Sequence, residues 1–511
     1  MEDFSKEARD FLDNAQQFRL GFLASEARNP LTMNLDRDFS ESAEKGVRTL
    51  LACDNALRPH FAEALKSPVY AEMIRAMRSA RHIVFSGCGA TGRLAILLES
   101  AWNEVHPDDP KVFSIMTGGD YALIRSVEHF EDCPEVGRRQ LRDLNFTGGD
   151  VFIGITATGE TASILGSAQE AARIGAEVFM LICVPVSAVS GRLDRCRELY
   201  SCKNVHVIAM SIGGMAVTGS TRMQSSTIEQ LVAASALEKA LCGSGIDYAD
   251  AFENLLNGLM SPVSLKALAE CIDFETDLYR RHGLIDYLPK DMLVDLLSDT
   301  TERSPTFMIP PYKSADDPAA PEPWAMVRDP DLTIEEFWRQ CLHRELRCLE
   351  WSAEDYRKEG LAFLMKNGLP GISRAELFKI PIAGKEPESR KNALQIRLDN
   401  DPDGAFSYDG RPIGAGVVRT PLRLFEHLRV KLAMNIISTG TMVKFGRVRS
   451  NYMIHLAISN KKLIDRACRI ISELCAIPYE QACFELFKTR ASIDSNKISP
   501  VAETIRRLNG E

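Results

Sequence analysis

Residues 82–102 read HIVFSGCGATGRLAILLESAW. A β-rich apolar run ends on a glycine turn, and a long apolar helical run follows. That order restricts the chain to folds in which a strand feeds a helix N-terminus. The alternation continues in KVFSIMTG (111–118), DVFIGIT (150–156), EVFMLICV (177–184) and NVHVIAM (204–210), all short apolar strands. TASILGSAQEAARIGA (161–176) is an amphipathic helix ending on a glycine stop. A helix-like stretch follows KVFSIMTG as far as Glu128, and a helix from Met223 to about Cys242 closes the unit; further on, LAFLMKNG (361–368), LFKIPIAG (377–384) and ALQIRL (393–398) are candidates for further strands. Strands alternating with helices predict a parallel sheet covered on both faces.

Three strand-to-helix junctions carry glycines and hydroxyls: GCGATGR (87–93), TATGETAS (156–163) and TGSTRMQSS (218–226). Helix N-termini expose free N–H groups and the positive end of the helix dipole. One such loop is ordinary capping, and the third offers a capping box, Thr221 with Gln224. Three from one parallel sheet converge at the carboxyl ends of its strands, where open α/β sheets bind ligands. A small phosphate-bearing ligand is therefore expected, held by Gly89, Thr91, Gly92, Thr156, Thr158, Thr161, Ser220 and Thr221 with the loop amides. The first loop also fits the dinucleotide fingerprint G-x-G-x-x-G. That reading needs an acid about 20 residues onward, and Asp120 comes after two glycines, 28 residues past Gly92. No loop contains G-x-x-x-x-G-K-[ST], which disfavours a P-loop nucleotidase.

The 511 residues suffice for two or three domains, and a formal net charge of -9 argues against nucleic-acid binding. No stretch approaches the roughly 20 apolar residues of a membrane span. The acidic start, MEDFSKEARDFLDNAQQF, does not read as a secretory signal. Thirteen scattered cysteines without a C-x-x-C pair predict free thiols in a reducing, cytoplasmic setting. The nine histidines are isolated, so neither a metal nor another cofactor is expected.

At the three loops the chain resembles the sugar isomerase (SIS) domain family. SEARNPLTMNLD (25–36), GCGATGRL (87–94), TGGDYALIRSVEHFED (117–132), TGSTRM (218–223) and KLAMNIISTGTMVKFGRV (431–448) are similar, in order, to the branch holding N-acetylmuramic acid 6-phosphate etherase and the glucokinase regulatory protein. The resemblance covers most of residues 25–240 and about 425–490. The etherase has one SIS unit and works as a homodimer, whereas the regulator fuses two units and adds a helical cap. Between TGSTRM and KLAMNIIS the chain carries roughly 180 residues that an etherase would not have, and in that length it resembles the regulator. The fold implied is α/β: two SIS-type three-layer units with parallel sheets, the second degenerate, plus a helical C-terminal region. The divisions expected are 1–45, 46–249, 250–418 and 419–511.

The etherase reaction expels lactate from carbon 3 of the sugar, with a base for the carbon 2 proton and an acid for the departing oxygen. The family uses two glutamates. Glu131 in VEHFED matches one, and Glu128, one helical turn earlier, is a second contact candidate. The other lies in a DASE pattern after the first glycine loop, where this chain has Leu98-Glu99-Ser100-Ala101. Ala101 takes the glutamate's place, and Glu99 lies about 200° around the helix from it. SDTTERSPTF (298–307) resembles the same pattern with Glu302 at the glutamate position, but in the second unit. Glu302 is either a solvated acid or the second carboxyl of a composite site. Lys431 matches a lysine that opens a family helix and either neutralises a ligand phosphate or is solvated; Arg93 and Arg222 contact either ligand or protein. Trp102 and Phe130 are expected in the core.

The resemblance implies a sugar-phosphate sensor similar to the glucokinase regulatory protein, binding a hexose or amino-sugar phosphate and partnering a sugar kinase. The alternative is an etherase-like carbon–oxygen lyase using Glu131 and Glu302. A dinucleotide enzyme stands third.

Overall fold

The computed structural model describes residues 4–15, 19–127, 129–366, 368–456, 458, 461–495 and 497–510. Strands β1 (Ile83–Gly87), β2 (Val112–Met116), β3 (Val151–Ile155), β4 (Glu177–Ile182) and β5 (Val205–Ala209) form a parallel sheet in the order β2-β1-β3-β4-β5. Every residue of β1 and β3 is buried, as expected for strands covered on both faces. The amphipathic helix falls at Ala162–Ile174 and stops on Gly175 in the left-handed region (φ 90°).

A second sheet is built from β6 (Ile285–Pro289), β7 (Ala325–Val327), β8 (Leu394–Asn400), β9 (Phe406–Tyr408) and β10 (Arg411–Ile413), in the order β10-β9-β8-β6-β7. Its β7-β6-β8 part is parallel, and an antiparallel hairpin extends it through β9 and β10. The two sheets share one apolar core, which runs from Phe85 and Ile153 through Leu231 and Leu268 to Tyr287 and Ile396. The C-terminal region is helical: Leu424–Lys444, Lys461–Cys475, Tyr479–Arg490 and Pro500–Asn509. The N-terminal helix Phe4–Asn14 docks here, with Ala8 and Phe11 in one cluster with Cys483 and Phe487.

Three expectations fail locally. The helix-like stretch toward Glu128 is only a 3-10 turn, Asp120–Leu123, because Gly118 and Gly119 both take positive φ (94° and 70°). LAFLMKNG, expected as a strand, is a 3-10 turn (Ala362–Met365) with Phe363 exposed. LFKIPIAG is not a named strand either. Pro381 lacks the N–H a ladder requires, and only an isolated bridge from Asp329 to Ala383 forms. ALQIRL does enter β8.

Candidate functional site

A cavity of about 390 Å³ opens where the first sheet's strands end. Its floor is the loop after β1. Gly87 lies so close to the next turn that an added Cβ would sit 2.2 Å from the Thr91 carbonyl carbon. Gly89 takes φ 58° with open space beside it, which leaves its backbone accessible from the cavity. Gly87→Ala is therefore expected to push this loop out of place and weaken sugar-phosphate binding about tenfold or more; calorimetric titration checks it.

The hydroxyls divide into two groups. Thr158, Ser220 and Thr221 line the cavity. Thr91 does not: its Oγ1 accepts from Cys88 N and donates to Cys88 O, each at 3.0 Å, closing the loop on itself. Thr156 and Thr161 bond each other at 3.1 Å, and Gly92 packs against Met116. These four shape the loops rather than line the space between them.

Both candidate glutamates reach the cavity. Glu131 enters from the segment after β2. Burial raises its pKa, Asp132 and Glu160 add to the rise, and Lys462 opposes it. Glu302 enters from the second half, on the helix Leu293–Phe307. Burial raises its pKa too, against the pull of Arg93 (3.7 Å away) and Arg222. Two carboxyls, each with its pKa raised by burial, thus share one cavity. Arg93 donates to Leu123 O (3.1 Å) and Thr301 Oγ1 (3.2 Å), and Arg222 to Asp299 (2.9 Å), Ser438 and Thr439. The Nε of each is buried with no partner among the described residues.

The other acids are held elsewhere. Glu99 accepts from Ser114 (2.6 Å), Arg344 (2.8 Å) and Arg347, on the far side of its helix from Ala101. Asp120 is clamped by Arg344 at 2.7 and 2.8 Å and by Arg347 N at 2.6 Å, so no ribose-binding acid is free at that strand end. Lys431 lines a neighbouring cavity of about 40 Å³, which shares Arg93, Arg222 and Glu302 with the main one. Its Nζ donates to Thr227 Oγ1 at 2.7 Å, and burial pushes its pKa down to about 8. Glu128 lies outside the described residues. Trp102 and Phe130 are buried, as expected.

The sequence reading missed the cavity's third wall. Lys462, Arg466 and Arg469 come from the helix Lys461–Cys475. Lys462 pairs with Glu160 at 2.9 Å, while Arg466 and Arg469 hold Glu26 at 2.6 and 3.0 Å. Glu26 lies in SEARNPLTMNLD, so its motif was visible although its partners were not.

Next to the site, burial pushes the Asp54 pKa up to about 6, against its hydrogen bond from Gln224 (2.9 Å) and the Lys431 charge. The unfolded chain releases this proton near pH 4 and the folded chain only near 6. The folded state thus holds more protons across that window, and stability falls as pH rises through it, by about 3 kcal/mol in all. Denaturant unfolding of Asp54→Asn at pH 4 and 7 is expected to show that loss removed.

Among the described residues, no group of three or more His, Cys, Asp or Glu side chains is placed to hold a metal ion. No helix among them is long and apolar enough to cross a membrane. The cavity offers loop amides and hydroxyls for an anion, cations on two walls, and two carboxyls with raised pKa.

The family model of the glucokinase regulatory protein N-terminal SIS domain matches residues 67–171. The chain is 30% identical over 258 residues to N-acetylmuramic acid 6-phosphate etherase of Mesorhizobium japonicum, covering 49% of this chain and 76% of that enzyme. It is also 30% identical over 240 residues to the Rhizobium rhizogenes enzyme of the same name, covering 46% and 71%. Among solved structures, the C-terminal domain of glucosamine-fructose-6-phosphate aminotransferase from Francisella tularensis is similar at 11% identity and a TM-score of 0.38, covering 79% of this chain and 95% of that one.

Proposed function

Because this chain belongs to the N-acetylmuramic acid 6-phosphate etherase family of SIS-domain proteins, we propose that it is an ether lyase acting on an amino-sugar 6-phosphate. It is a phosphosugar-binding protein. One observation carries it: Glu302 lines the same cavity as Glu131, although 171 residues separate them. The acid missing at Ala101 is supplied by the second half of the same chain.

In this reading the phosphate lies against Gly89, Thr158, Ser220 and Thr221, and the ring lies between the carboxyls. One glutamate takes the carbon 2 proton. The electron pair forms the carbon 2–carbon 3 double bond as the carbon 3 ether bond breaks. The other glutamate protonates the departing oxygen, and lactate leaves. Water adding at carbon 3 restores a hydroxyl there. Raised pKa values suit both roles, since a carboxyl poised nearer neutrality both holds and accepts a proton.

The test is incubation with N-acetylmuramic acid 6-phosphate and measurement of lactate. Release supports the lyase. Absence of release, together with a thermal shift from fructose phosphates, supports the sensor reading instead, which the regulatory-protein match at residues 67–171 favours. A sugar kinase partner belongs to that second reading only. The divisions 1–45, 46–249, 250–418 and 419–511 are part of the proposal, supported by a separate sheet in each middle segment. A cytoplasmic setting is proposed because no cysteine among the described residues forms a disulfide.

A further inference from the structure

The two halves of the chain share one register. Ala101 and Glu302 are 201 residues apart, and so are Arg222 and Arg423. The same displacement carries β1 to within a residue of β6, and the start of helix Gln224–Leu241 to within a residue of that of Leu424–Lys444. The main cavity is built from the loop after β1 and the face of helix Leu293–Phe307. Exchanging the halves gives the same construction again. The loop after β6 faces Ser100 and Glu104, on helix Ala90–Val105, across a cavity of about 250 Å³ closed by His343 and His427.

The chemistry of this second cavity differs. Gly89 is replaced in register by Lys290, Arg93 by Val294, and Glu302 by Ala101. The loop amide in register with that of Gly89 is already used, since Lys290 N donates to Leu398 O at 3.1 Å, and Met292 N next to it donates to Asp291 Oδ1 at 2.7 Å. Glu104 and Asp291 present carboxylates, tied from behind by Arg423. His427 is more than nine-tenths buried and lines the cavity. Its Nδ1 meets Asp295 at 2.7 Å, and its Nε2 has no partner among the described residues. Two non-glycine residues that line this space have left-handed backbones, Met292 (φ 57°) and His343 (φ 50°), as does Arg423 (φ 58°) behind its carboxylates. Such strain collects at ligand sites.

We propose that this second cavity binds an unphosphorylated sugar or polyol. Carboxylates repel a phosphate but accept hydrogen bonds from hydroxyl groups, and the imidazole Nε2, left over by Asp295, supplies a further polar contact. Two helices serve both cavities: Ala90–Val105 lends its first turn to the main one and its later turns to this one, and Leu293–Phe307 lends Glu302 there and its first turn here. The inference rests on the repeat and this cavity, not on the lyase reading.

The test is saturation-transfer NMR with N-acetylglucosamine and with sorbitol, the main cavity being filled by saturating N-acetylglucosamine 6-phosphate. Transfer to at least one probe is expected to persist under that competitor and in Glu302→Gln. Affinity for that probe is expected to fall about tenfold in His427→Gln, the worth of one hydrogen bond. Gln340→Trp, at an exposed position on the rim, is expected to block transfer without disturbing the fold. Loss of transfer to both probes under the 6-phosphate, full transfer in both rim and histidine variants, or no transfer at all overturns the proposal.

Discussion

Replacing Glu302 by Gln is expected to lower the rate of lactate release by about 10²–10⁴-fold, the usual share of one general acid or base. The substitution keeps the shape of the side chain and removes only its capacity to move a proton. Sugar-phosphate binding is expected to change little, because the loops at Gly89, Thr158 and Ser220 are untouched. Glu131→Gln is expected to give a fall of similar size. The double variant is expected to be no worse than the poorer single one, since both groups serve one reaction. Deuterium exchange at carbon 2 separates the roles. The variant that still exchanges that proton without releasing lactate has lost the acid, and the one that does neither has lost the base. A Glu302 that merely balances Arg93 would leave turnover within a few-fold of the parent when changed to Gln. Turnover, not binding, is therefore the discriminating readout.

Asp299→Ala is expected to cost about 3–5 kcal/mol of stability, the usual effect of removing one partner from a buried ion pair. Asp299 is one helical turn before Glu302 and 2% exposed. It accepts from Arg222 at 2.9 Å, Arg303 at 2.8 Å, Asn435 at 3.1 Å and Ser438 at 2.9 Å. Arg303 in turn meets Glu275, which accepts from Tyr287 and Tyr408 in the second sheet's core. Deleting the carboxylate leaves two buried guanidinium groups short of a counter-charge where water cannot reach them. Denaturant unfolding measures the loss, and a cost below about 1 kcal/mol would show that the pair is not held as described. The same network fixes Arg222 at the cavity wall, so the residue that joins the two halves also shapes the site between them.

The first half was legible because its signals are local. Fully buried parallel strands read as continuous apolar runs, and the glycine turns announce where each strand hands over to a helix. Glu302 was legible by motif, since Asp299 to Phe307 keep their spacing wherever the segment sits in the chain. The cavity's third wall was not legible. Lys462 belongs to an amphipathic helix whose pattern says that one face is buried, not that its polar face meets Glu160 across the molecule. The hydroxyls were legible in type but not in direction: Thr91 and Thr158 look alike in sequence, yet one bonds its own loop and the other faces the cavity. LAFLMKNG and LFKIPIAG misled because short apolar runs carry no period that separates a strand from a packed turn.

The central claim is one composite site per chain, made from the first half's loops and the second half's glutamate. A crystal structure with N-acetylglucosamine 6-phosphate tests it most directly. The expected result is one sugar phosphate in the main cavity of each chain, its phosphate against Gly89, Thr158 and Ser220 and its ring between Glu131 and Glu302. A ligand held by the first half alone, with Glu302 still turned to Arg93 and out of contact, would contradict it.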